Sequence, residues 1–269
     1  MMSTLNDKQF TVIGVGNIGR ILLERLAAAG VQADHLSVCD SDPARGQAAA
    51  DRLGVRAFPL ADDAACMADA ILIASPPPSV ADVLHTIAGR LHPGQVVISF
   101  AAAVPLSRLE ALVPPGVSIA RIMPTAPSLV GQGMNPVAYG ASATTETRAL
   151  VDAILAALGQ SIEVQDDQLA WCVGLAGAAM RSVLPVLEGM TQAGVDAGLS
   201  PETARWVAGQ VMMGTAALAL QTELSFDQIK SLTPMQTIDE AAVAELFRTA
   251  ARQARDKIDQ LQRKLEGAS

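Results

Sequence analysis

The chain has 269 residues, of which 50% are hydrophobic, 17% charged and only 3% aromatic, with a formal net charge of −8. That length accommodates two modest domains, or one large one, with a proper apolar core. The acidic balance and the scarcity of rings weigh against nucleic-acid binding, which needs a basic face and stacking platforms. Cys39, Cys66 and Cys172 are far apart, odd in number and without a CxxC pair. A disulfide scaffold or zinc ribbon is therefore not expected, and a reducing cytoplasm fits. His35, His85 and His92 show no metal-ligand spacing, so no metal site is expected. Met1 to Gln9 is polar, unlike a signal peptide. The uncharged stretch from Trp206 to Thr222 falls short of the ~20 apolar residues of a spanning helix. A soluble, cytoplasmic protein with no membrane partner is the expectation.

The first half alternates strand and helix. Phe10 to Val15 is a short apolar strand, followed by a glycine turn and a helix from Asn17 to Ala29 closed by Gly30. Leu36 to Asp40 is a second strand, and a polar helix begins near Asp42-Pro43, where proline suits the first turn. Ala70 to Ala74 is a continuous apolar run typical of a parallel strand buried on both faces. Val96 to Phe100 and Val117 to Ile122 are further strands, preceded by the turns Pro93-Gly94 and Pro114-Pro115-Gly116. This alternation predicts a Rossmann-type, doubly wound parallel sheet over 1–165. From 166 to 269 helical periodicity dominates, which predicts an all-α C-terminal domain. A long helix from Asp167 to Ala197 ends at Gly198, and Ser200-Pro201 starts another that runs to Thr222. A charged helix closes the chain from Asp239 to Leu265.

Gly14-Val15-Gly16-Asn17-Ile18-Gly19 is GxGxxG, placed between a strand and a helix. The first glycine allows the tight turn, the second lets backbone approach a pyrophosphate, and the third permits close helix–strand packing. The helix N-terminus then faces the negative charge. Asp40 closes the second strand 21 residues after Gly19. It is placed either to accept hydrogen bonds from an adenosine ribose, which favours NAD, or to serve as a turn residue before Pro43. Arg45 is near enough to meet a 2′-phosphate, so NADP stays open, and an ion pair on a solvated helix is its plainer role. Ala74, Ser75 and Pro76 follow the Ala70 strand, where a cofactor-contacting loop belongs.

Together with these motifs, Ile98-Ser99-Phe100-Ala101-Ala102 and Arg121-Ile122-Met123-Pro124-Thr125-Ala126-Pro127-Ser128-Leu129-Val130-Gly131 resemble pyrroline-5-carboxylate reductases, in the same order over nearly the whole chain. The resemblance implies NAD(P)H as cofactor, with Ala101 beside it, and Met123 and Pro124 lining a nicotinamide and substrate pocket. It also implies a helical domain that makes a homodimer and completes the active site. Reducing a cyclic imine needs a hydride donor, a protonated C=N bond and an anchor for the substrate; solvent or a hydroxyl can supply protons.

The substrate half departs from the family. Where the family has SGSGPAY, anchoring a carboxylate, this chain has Ala176-Gly177-Ala178-Ala179-Met180-Arg181-Ser182. The family's TSPGGTT loop matches Leu232-Thr233-Pro234-Met235-Gln236-Thr237-Ile238, and the asparagine of MPNTP is Thr125. Ala176 and Gly177 keep the positions of the anchoring segment. Arg181, inside an apolar helix, either binds a carboxylate bidentately or pairs with Glu188. Thr233 and Thr237 are the remaining hydroxyls for catalysis. Three functions follow: an NAD(P)H-dependent imine reductase, a β-hydroxyacid-type dehydrogenase using Lys230 as acid/base, or a non-catalytic dinucleotide-binding regulator.

Overall fold

The computed structural model describes residues 3–233 and 235–267. Eight strands form one sheet ordered β3-β2-β1-β4-β5-β6-β7-β8. They are β1 (Phe10–Ile13), β2 (Leu36–Cys39), β3 (Arg56–Ala57), β4 (Ala70–Ile73), β5 (Val96–Ser99), β6 (Ser118–Ile122), β7 (Gly133–Tyr139) and β8 (Gly159–Glu163). All neighbours run parallel except β6 and β7, which pair antiparallel with Ile122 opposite Val137. The doubly wound sheet expected from the alternation is therefore present, with one antiparallel pair added at its far side.

Strands β1, β2, β4 and β5 are buried at every position, because helices cover both faces. Period-two alternation divides the core in two. Phe10, Val12 and Leu72 pack with Leu22, Leu26 and Ile154 on one side. Ile71, Ile73 and Val97 pack with Leu84 and Ile87 on the other. The covering helices include α1 (Asn17–Ala28), α2 (Pro43–Leu53), α3 (Val80–Ile87), α4 (Leu106–Glu110) and α5 (Thr145–Leu158). Asp42 caps α2 by accepting from the amides of Ala44 and Arg45 at 3.0 and 3.4 Å, with Pro43 in the first turn.

Several elements escape the sequence reading, among them β3, β7, α5 and β8. β3 is two residues long. β7 contains Pro136, which argues against a strand; here it contributes its carbonyl, which accepts from the Met123 amide at 3.0 Å. α5 was legible: Thr144 caps it through the Thr147 amide at 3.2 Å, and Leu150, Val151, Ile154, Leu155 and Leu158 follow helical spacing into the core. β8 is an edge strand with little burial to pattern it.

The chain divides into two compact units. The first runs up to Gly177 and includes the last helix from Gln253 onward; the second is Ala178–Arg252. In the first, Arg108 donates to the Leu265 carbonyl at 2.8 Å and Arg255 lies 5.0 Å over the Trp171 ring. The long helix expected from Asp167 to Ala197 is not uniform. A helical turn Leu169–Cys172 passes through a π-helical stretch Val173–Ala178 into α6 (Ala179–Asp196). In the second unit α7 (Pro201–Gln221) starts at the Ser200 cap, which accepts from the Thr203 amide at 3.2 Å. α8 (Phe226–Ser231) and the start of α9 (Glu240–Gly267) follow. α6 and α7 approach closely where a Cβ on Gly194 would come within 2.9 Å of the Ala204 side chain. Beyond Ala204 and Ala208, this unit buries almost none of its described side chains, leaving Trp206, Met213, Leu220 and Phe226 more than half exposed.

Candidate functional site

A cleft of about 670 Å³ opens at the carboxyl ends of the parallel strands. Its floor is the β1–α1 turn with Gly14, Gly16, Asn17 and Ile18. Asp40 borders it after β2, Ala74, Ser75 and Pro76 after β4, and Ala101 after β5. The order 3-2-1-4-5 makes the gap between β1 and β4 the topological switch point, where open α/β sheets bind ligands. On that logic the adenosine half belongs over β2 and β3, and the nicotinamide half over β4 and β5.

The three glycines have different reasons. Gly14 takes φ 95°, and a Cβ on it would come within 3.0 Å of the Ala74 backbone. A Cβ on Gly16 would meet no protein atom within 4 Å, so its missing side chain leaves open cleft directly before α1. Gly19 does not line the cleft; it lies against the Gly14 carbonyl. No side chain caps the α1 N-terminus, so its free amides and positive dipole end stand open to an anion. A dinucleotide's pyrophosphate fits that cradle.

Asp40 is buried at the rim, and much of its carboxylate is already engaged. One oxygen accepts from the Val15 amide at 2.8 Å. The other accepts from the Asp42 amide at 2.9 Å and from Arg45 Nε and Nη2 at 3.1 and 2.6 Å. Burial pushes the carboxyl up, but the bonds from Arg45, Val15 and Asp42 together outweigh it and hold Asp40 below its usual range. Arg45 therefore pairs with Asp40, and its half-exposed guanidinium borders the cleft beside Ser41. Ser41, Pro59 and Leu60 are lining residues the sequence reading did not single out. Pro59 and Leu60 follow β3, and no signal marks so short a strand.

The remaining expected residues lie elsewhere. Met123 is turned into the core beside Ile119 instead of lining this cleft, and Pro124 does not line it either. The segment they begin has a structural explanation of its own. Ser128 donates to Asn135, Asn135 donates to the Gln160 carbonyl, and Thr125 accepts from the Met134 amide, all buried side chains. Gly131 takes φ 71° to end the turn, and a Cβ on Gly133 would overlap the Ser128 hydroxyl. Ala176 and Gly177 sit in the π-helical stretch, a distortion frequent at functional sites. In the second unit, Arg181 is exposed and makes no ion pair with Glu188 or any other described residue. Thr233 shares a smaller pocket with Lys230, Gln236 and Glu240, and Thr237 is exposed outside it. Lys230 lies 3.0 Å from Glu240 and 3.8 Å from Asp227, which raises its pKa above the ordinary lysine value. Pro234, between the two threonines, falls outside the described residues.

Residues 9–103 match the family described as NADP oxidoreductase, coenzyme F420-dependent. Residues 166–261 match the pyrroline-5-carboxylate reductase dimerisation family. A pyrroline-5-carboxylate reductase of Escherichia coli (strain K12) is 32% identical over 217 residues, 80% of this chain and 81% of that protein. This chain belongs to the pyrroline-5-carboxylate reductase family. The enzyme of that name from Corynebacterium melassecola is 27% identical over 262 residues, 93% of this chain and 97% of its own. The solved reductase of Coxiella burnetii superposes with TM-score 0.80 at 25% identity, covering 95% and 99% of the two chains. That of Plasmodium falciparum, solved with NADP bound, has the same fold at TM-score 0.85 and 19% identity, covering 96% and 99%. The chain is thus an NAD(P)-binding oxidoreductase of this family, with a Rossmann fold and a dimerisation-type helical region.

One helical run, Asp166–Asp196, is long and apolar enough to cross a membrane by length and composition. It is not the Trp206–Thr222 stretch that the sequence reading weighed. The run lies within the segment matching the dimerisation family.

Proposed function

We propose that this chain is a cytoplasmic, homodimeric reductase that transfers hydride from NADH to the carbon of a small cyclic imine. The observation that carries the reading is the cleft at the switch point, with an uncapped helix N-terminus behind Gly16 and no protein atom where a Cβ would stand. Bound there, the reduced nicotinamide supplies the hydride. The free amides from Gly16 to Gly19 would hold the pyrophosphate, since those of Gly14 and Val15 already donate to Cys39 and Asp40, and the loops after β4 and β5 would flank the reacting ring. The imine nitrogen takes its proton from solvent or a hydroxyl, for which Thr233 and Thr237 are the proposed donors.

Charge supports NADH over NADPH. Two carboxylates, Asp40 and Asp42, stand beside one arginine, and Asp42 already occupies the α2 N-terminus that a 2′-phosphate would use. Homology to proteins named for pyrroline-5-carboxylate supports a C=N substrate. Where the imine bears a carboxylate, Arg181 is the one candidate anchor proposed for it, because its guanidinium is free and Ala176 to Met180 offer no hydroxyl. The dimer reading draws on the dimerisation-family match and on the apolar faces of α6 and α7.

The test is a hydride-transfer assay with NADH and NADPH over a panel of cyclic imines and β-hydroxyacids. Oxidation of NADH by a cyclic imine is the expected result. Turnover of hydroxyacids alone would overturn it in favour of a dehydrogenase, and cofactor binding without any turnover would favour a regulator.

A further inference from the structure

Arg121 lies near the end of β6 with only 4% of its surface exposed, on the same face as Ile119 and Met123. A cation in such a place is costly unless paired and hydrogen-bonded. Its Nη1 meets Asp166, yet its Nε is buried without any hydrogen-bond partner. The second Asp166 oxygen accepts from the Leu106 amide at 2.9 Å, the first amide of α4. The β5–α4 loop, 100–105, thus runs from the cleft at one end to this ion pair at the other. Phe100, Ala101 and Ala102 line the cleft, and Ala103 is buried at φ 68°, the one non-glycine residue with positive φ among those described. A left-handed alanine is strained and persists only where its surroundings hold it.

We propose that the Arg121–Asp166 pair is a positioning device for the nicotinamide half of the cleft. The pair fixes the Leu106 amide, and through it keeps the loop 100–105 pressed against the place where the reacting ring lies. The orphaned Nε and the strained Ala103 are what such a brace leaves behind: two local conflicts accepted to hold one backbone path. Removing the brace lets Ala103 relax to negative φ and withdraws Ala101 and Ala102 from the ring. The adenosine and pyrophosphate contacts, on the β1 and β2 loops, stay as they are.

The inference rests on the dinucleotide reading of the cleft, and the experiment separates the two. NADH and ADP-ribose, which lacks the nicotinamide, are titrated into the purified full chain and into Arg121→Met/Asp166→Leu. Apolar replacement of both partners avoids a lone buried charge and keeps the protein folded. The expected result is an ADP-ribose Kd within twofold of wild type and an NADH Kd at least tenfold weaker. If the double variant keeps the wild-type ratio of the two affinities, the proposal falls. Should that variant fail to fold, Arg121→Met removes the buried cation and leaves Asp166, about a quarter exposed, without the partner that holds it in place. It is expected to shift the same ratio at least threefold, and an unchanged ratio there is equally fatal. A wild-type chain that binds neither ligand overturns the dinucleotide reading and this proposal with it.

Discussion

Gly19 is pressed so closely against Gly14 that a Cβ on the one would overlap the carbonyl oxygen of the other. Three residues earlier in the same motif the situation reverses, because Gly16 faces open cleft. The motif therefore holds one glycine for folding and one for binding, and mutation separates them. Gly16→Val is expected to abolish NADH binding while the melting temperature stays within about 2 °C of wild type. Gly19→Ala is expected to cost about 1–3 kcal/mol, as overpacking does, and to lower the melting temperature by several degrees. Thermal melts beside a fluorescence titration of NADH check both, and unchanged binding in Gly16→Val would sink the pyrophosphate assignment.

The proposed preference for NADH rests on three charges on two elements. Asp42→Ser keeps an N-cap on α2, since serine caps well, but removes one negative charge next to Asp40 and Arg45. The affinity for NADPH relative to NADH should rise by about fivefold, the effect of roughly 1 kcal/mol at a partly screened site. Arg45→Ala removes the only cation among the described residues lining the cleft and should move the ratio the other way. Kd values for both nucleotides in both variants check this, and a wild-type preference of tenfold or more for NADPH would contradict the starting point.

Lys230 separates the reductase from the dehydrogenase. Its ammonium sits between Glu240 and Asp227, which raise its pKa, so it stays protonated through neutral pH and cannot serve as a base there. Lys230→Met is expected to change kcat less than twofold on any turned-over imine. A loss of a hundredfold or more would revive the hydroxyacid reading.

The sequence reading was strongest where chemistry and local geometry coincide. The turn read at Gly14 and the close packing read at Gly19 are both in the structure, and Gly16 faces open cleft. The reading was weakest where a role depends on distant partners. Nothing in Arg121-Ile122-Met123-Pro124 tells that Met123 belongs to the core and that Arg121 reaches Asp166, 45 residues on. Asp40 reads as a ribose acceptor or a turn residue; its bonds from the Asp42 amide and from Arg45 are local in sequence, and only its bond from the Val15 amide depends on a distant partner. β7 hid behind Pro136, and β3 and β8 were too short or too exposed to carry a pattern.

The second unit predicts its own partner. Trp206, Met213 and Leu220 stand more than half exposed on α7, and α6 buries none of its side chains within the chain. A run of exposed apolar side chains of that kind marks an interface, and a twofold homodimer is the commonest way to cover it. Light scattering at micromolar concentration should give twice the 27.8 kDa chain mass. Trp206→Glu should shift the population to monomer and abolish turnover; a wild-type chain that remains monomeric would count against the dimer.

The substrate is where this chain is expected to leave its relatives. A carboxylate needs donors, and from Ala176 to Met180 no side chain provides one. Losing one hydrogen bond to a charged group costs about 1.5–3 kcal/mol, enough for a tenfold to hundredfold loss. Ile238, exposed beside Thr237, puts an apolar side chain where the resemblance places a hydroxyl. Poor turnover of pyrroline-5-carboxylate, and better turnover of a bulkier or more apolar cyclic imine, are the expected outcomes. Arg181 argues the other way, since an unpaired guanidinium can restore a carboxylate anchor by a different geometry. Its removal reads out which effect wins. If Arg181→Met raises KM for carboxylate-bearing imines at least tenfold and leaves neutral imines unchanged, the anchor has moved to Arg181. If both classes are unaffected, the site does not recognise a carboxylate through it. Steady-state kinetics on pyrroline-5-carboxylate itself decides the wider point: a kcat/KM of about 10⁴ M⁻¹s⁻¹ or more, the ordinary enzyme range, would show that the lost hydroxyls are fully replaced.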